Sequence, residues 1–170
     1  MKIAKRSLPR LIIHGEKEFY MGWLKDLFTN PFLIVTLSSW VIAQFSKIVI
    51  YGIINKKIEI ERMFGDGGMP SGHAATVCSL ATYSAISYGA GSFEFGISLV
   101  FALVVCRDAM GVRRETGKQA VLLNEMRKSM DAYDLATVKL KEFVGHTPMQ
   151  VLVGGILGIL NAILWSVTVF

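Results

Sequence analysis

Two of the three histidines in this chain stand where long uncharged stretches begin. His73 closes the turn "GDGGMPSGH" at 65–73, and His146 lies in "KEFVGHTPMQ" at 141–150. The first turn of a helix has N–H groups without intrahelical partners and the positive end of the helix dipole, so it favours an anion. Lys47, Arg62, Arg113 and Arg114 are among the cations that alternation along the chain brings to the same end. Two imidazoles beside an anion site ringed by cations are equipment for phosphoryl transfer. One imidazole attacks phosphorus while the other protonates the leaving alcohol near neutral pH. Lysine and arginine neutralise the equatorial oxygens as the trigonal bipyramid forms. The scheme calls for no metal and no other cofactor, and no acidic cluster or His/Cys ligand spacing in the sequence suggests a metal. Cys78 and Cys106 read as small buried apolar groups, and His14, without such a context, as a solvated side chain.

Composition decides what holds these residues. Of 170 residues 52% are hydrophobic and only 18% charged, and the mean hydropathy is +0.47, poor in charge for a soluble domain. Residues 32–54 carry one charge, Lys47, while 74–93, 95–106 and 147–170 carry none. A bilayer core of about 30 Å needs roughly 20 helical residues, so three of these stretches are long enough to span. The stretch 95–106 spans only if Glu94 sits at one interface and Arg107 and Asp108 lie at or just inside the other. The reading is all-α: an integral membrane bundle of about four transmembrane helices over 32–170, preceded by a basic segment over 1–31. No secretory signal peptide is expected in that segment, which lacks an apolar core of sufficient length and a small-residue cleavage site. Tyr20, Trp23, Leu24, Leu27 and Phe28 recur at helical spacing and predict an interfacial helix, with Asn30 and Pro31 turning the chain into the first span. Residues 113–146 are the sizeable polar segment, read as one or two amphipathic helices capping the site through Ala120, Leu123, Met126 and Met130. Gly154, Gly155 and Gly158 predict a close-packing helix face.

"PSGH" at 70–73, "GHTPMQVLVGGILG" at 145–158 and the intervening "RDAMGVRRETGKQAVLLNEM" together resemble the type 2 phosphatidic acid phosphatase superfamily, in particular its small divergent branch of bacteria and plants. The resemblance covers roughly residues 30–165. It implies a metal-independent phosphatase acting on lipid phosphates through a phosphohistidine. It further implies His146 as nucleophile, His73 as general acid, and Ser71 and the amide of Gly72 as phosphate-binding groups. The superfamily's first motif, a lysine followed seven residues later by arginine and proline, is not intact, because Ile54 stands seven residues after Lys47. Lys47 and Arg62 are its nearest substitutes. The arginine expected before the nucleophile is replaced by Lys139 and Lys141, with Arg113 and Arg114 as candidates to supply the charge. Gln150 occupies the place of the usual aspartate, and Asp108 is the carboxylate proposed to take over its role. Family members usually have six spans, so a homodimer is one way for four to complete the fold.

Each residue also has a plain structural reading. Lys47, on one face of its helix with Trp40, Gln44 and Tyr51, can snorkel to the surface. Arg62 can be a loop charge and the histidines helix caps. Arg107 with Asp108 can be an interfacial charge cluster, and Arg113, Arg114 and Lys118 a headgroup patch. Two functions follow: a phosphatase for a lipid phosphate or isoprenoid diphosphate, or a non-catalytic membrane protein binding an anionic lipid or phosphate in the same pocket. The expected partners are the cell membrane and a phosphorylated lipid, with no nucleic acid. Twelve of eighteen Lys and Arg lie between 47 and 141, which by itself favours a cytoplasmic site, whereas the resemblance suggests one facing outward.

Overall fold

Asn30 starts the first long helix by accepting the N–H groups of Phe32 (2.9 Å) and Leu33 (3.3 Å) on its side-chain oxygen, with Pro31 in the first helical position. The computed structural model describes residues 22–56, 67–129, 140–141 and 144–169. A helical stretch over 22–28 (α1) exposes Trp23, Leu24, Leu27 and Phe28, while Tyr20 lies outside the described residues. Then come α2 (Pro31–Asn55), α3 (Gly72–Tyr88), α4 (Phe93–Met110), α5 (Val112–Ser129) and α6 (Pro148–Thr168). There is no strand among the described residues. Every bundle helix is capped by a residue visible in the sequence: Asn30 for α2, Ser71 for α3, Ser92 for α4 and Thr147 for α6. Gly111 separates α4 from α5, its N–H returning to the Arg107 carbonyl at 2.9 Å.

Three helical stretches, α2, α4 with its continuation into α5, and α6, are long and apolar enough to cross a membrane by length and composition. The fourth bundle helix, α3, has 17 residues and measures about 26 Å. It lies in the interior. It packs on α2, α4 and α6, and α6 in turn reaches α2 and α4, while α2 and α4 do not touch among the described residues. Small residues make this central pair possible. A Cβ on Gly154 would collide with the Ser71 backbone, and one on Gly158 with the Ala75 carbonyl, the close backbone approach that small-residue faces permit. At the far end α6 is tied to α2 by Asn161, whose Nδ2 donates to Ser39 Oγ (2.7 Å), Ser38 Oγ (2.9 Å) and the Val35 carbonyl (3.2 Å). In an apolar surround such bonds fix register, because an unpaired amide is costly there. Large apolar side chains point outward instead, among them Phe45 and Val49 of α2, Leu103 and Val104 of α4, and Leu152 and Leu160 of α6.

The polar segment departs from expectation in one respect. It does form an amphipathic helix, α5, but Leu123 and Met126 are exposed and the buried face is Gly117, Ala120 and Asn124. Asn124 decides this, since its side chain binds Leu140 twice, donating to its carbonyl (2.9 Å) and accepting its N–H (3.1 Å). A polar residue able to satisfy a returning strand of backbone outweighs the apolar count. Met130 and Lys139 lie outside the described residues.

Candidate functional site

The C-terminal end of α2, the start of α3, the end of α4 and the start of α6 meet at one end of the bundle. Two backbone hydrogen bonds join them: Ser71 N–H to the Gln150 carbonyl (3.0 Å) and His146 N–H to the Ala109 carbonyl (2.9 Å). Gly145, at φ +84°, lets the chain pass so close to α5 that a Cβ there would collide with the Arg113–Arg114 backbone. These contacts place His146 beside His73, the two rings 5.7 Å apart between centroids and inclined at 66°. Lys47 is buried, only 5% exposed, with its chain against Gly68, so it does not snorkel.

His146 is 1% exposed, and neither ring nitrogen makes a hydrogen bond. Gln150 and the Gly68 backbone are close enough to favour the protonated ring weakly, but neither meets hydrogen-bond geometry. Burial first, then the charges of Lys47 and His73, lower the His146 pKa to about 4. The imidazole is therefore neutral at physiological pH, with a lone pair available. Its unfolded value is near 6.5, so the unfolded chain takes up the proton first as pH falls. Stability is then unaffected by this group above pH ~6.5, falls between ~6.5 and ~4, and levels off below, a loss of about 3 kcal/mol. Thermal unfolding in detergent across that window, compared with His146→Gln, is expected to show the steeper loss of stability in the parent.

The remaining predicted residues divide. Ser71 is wholly buried and caps α3, its Oγ accepting the Ala74 N–H at 3.4 Å. Gly72 is buried at the first position of α3. Asp108 bonds Arg113, Nε to Oδ2 at 2.9 Å, with both side chains about two-fifths exposed, so this carboxylate is engaged with Arg113 and makes no bond to His146. Arg114 is exposed, its backbone rather than its guanidinium lying against Gly145. Arg62 lies outside the described residues. Gln150 serves α6: it accepts the Thr147 N–H at 3.0 Å while its own N–H donates to Thr147 Oγ1 at 3.3 Å, a complete capping box.

A cavity of about 330 Å³ opens beside this cluster, between α2, the Gly67–Met69 turn and the start of α6. Lys47, Gly68 and Gln150 line it, and the same three residues act electrostatically on His146. Ile50, Ile54, Met69 and Met149 make most of its wall apolar, with Tyr51 and Asn55 as polar exceptions. The arrangement suits an anion attached to an apolar group. Gln44 was legible in the sequence only as a neighbour of Lys47 on one helical face. In the structure it is 8% exposed and its side-chain oxygen is buried without a partner, the other orphan beside His146.

The sequence profile described as the Divergent PAP2 family matches residues 28–161. Among curated proteins, the uncharacterized membrane protein YuiD of Bacillus subtilis (strain 168) is 37% identical over 147 residues, covering 79% of this chain and 93% of that protein. No solved structure matches the chain.

Proposed function

The chain belongs to the Divergent PAP2 family, and from that premise we propose that it is a membrane phosphatase cleaving a lipid phosphate or isoprenoid diphosphate through a phosphohistidine on His146. The observation that carries the reading is the His73–His146 pair, with the His146 ring neutral, buried and unbonded next to Lys47. A His146 nitrogen attacks phosphorus, the bond to the leaving oxygen breaks, and protonated His73 gives that oxygen its proton. Neutral His73 then takes a proton from water, whose oxygen displaces His146 and releases phosphate. Lys47 and the positive end of the α3 dipole, with the Gly72 amide, stabilise the charge on the phosphoryl oxygens. The scheme needs no metal ion. The apolar remainder of the substrate lies along Ile50, Ile54 and Met149, the last two strongly exposed towards the surround.

One observation favours the second reading, a protein that binds a phosphorylated lipid without cleaving it. Asp108 is engaged with Arg113 and Gln150 with the helix cap, so among the described residues no carboxylate orients His146. The two readings separate in phosphate release by purified protein from phosphatidic acid, phosphatidylglycerol phosphate and a polyprenyl diphosphate, in EDTA. Release from any of them supports the phosphatase. Tight binding of the same lipids with no release supports the binding protein.

A further inference from the structure

Among the described residues, buried side-chain polar atoms without a partner belong to two residues only, His146 and Gln44. Both lie at the start of α3. His146 meets His73, and the amide of Gln44 lies across Gly72, where a Cβ would come within 3.1 Å of its Nε2. An orphaned buried polar group keeps the full cost of its desolvation, so one retained beside a candidate site is a candidate ligand contact. Gln44 precedes Lys47 by three residues, and the pair shares a face of α2 directed at α3.

We propose that Gln44 is a phosphate-recognition residue that reads a protonated phosphoryl oxygen; the inference rests on the proposed function above, whose phosphate site it extends. A carboxamide offers one donor group and one acceptor. Its N–H accepts no role from a fully deprotonated oxyanion that Lys47 could not also fill, but its carbonyl oxygen requires an O–H from the ligand. A P–OH supplies that hydrogen, while the adjacent P–O⁻ receives the amide N–H. Sulfate, also tetrahedral and anionic but without an O–H at neutral pH, would leave the Gln44 oxygen unpaired. Sites built to bond a ligand hydroxyl reject the analogue lacking it for this reason. The residue thus tunes the site to hydrogenphosphate and to phosphate monoesters in their singly ionised form, which keep a P–OH.

The test is binding of inorganic phosphate and of sulfate to the purified full chain in detergent, by calorimetry, for the parent, Gln44→Leu and Lys47→Met. The parent is expected to prefer phosphate at least tenfold. Gln44→Leu, close in volume, is expected to lose most of that preference through weaker phosphate binding while melting at the same or a higher temperature, since the orphan is gone. Lys47→Met should weaken both anions together. If the parent prefers phosphate and Gln44→Leu keeps the preference, the assignment of Gln44 is overturned and the phosphate site stands. If the parent binds neither anion, both the site and the assignment fall.

Discussion

Changing His146 to Gln is expected to reduce phosphate release at least a thousandfold, about 4 kcal/mol of transition-state stabilisation, without unfolding the protein. Gln fills much of the ring's volume and offers no nucleophile. The fold should tolerate it because the ring makes no hydrogen bond that would be lost; the anchoring bond, to the Ala109 carbonyl, comes from the His146 backbone. Phosphate binding should survive, since Lys47 and the Gly72 amide remain. Turnover measured with binding on the same preparation checks this. Equal turnover in parent and variant would remove His146 from the chemistry.

Lys47→Met should lower kcat/KM on the order of a hundredfold, because a buried ammonium near the phosphoryl oxygens acts in a surround of low dielectric. The substitution also carries an independent readout. Lys47 is the second cause of the depressed His146 pKa, after burial. Without it the His146 pKa should rise from about 4 while staying below ~6.5, because burial persists. Titration of the ring by NMR follows that shift. An unchanged His146 titration would mean that the ammonium acts elsewhere.

Most of the bundle could be read from the chain because charge is excluded from spans and caps are local. Asn30, Ser71 and Thr147 are capping residues at the boundary of an apolar run, and each starts a helix in the structure. The glycines of α6 announced the close packing on α3 that they make. Pairings between polar residues were less legible. Nothing in the spacing says that Asp108 prefers Arg113, five residues on across the Gly111 break, to a histidine on another helix. Nor does periodicity tell that Asn124 faces inward, because its partner is a backbone segment sixteen residues away. Gln44 was hidden for the same reason: its distinction is the absence of a partner, a property of packing.

The central claim is a covalent phosphohistidine, and rapid acid-free quenching of the full chain with a ³²P-labelled lipid phosphate, followed by peptide mapping, tests it most directly. Alkali-stable, acid-labile label is expected on the peptide carrying His146, absent in His146→Gln. Label on His73 or on no residue, with phosphate still released by the parent, would contradict it.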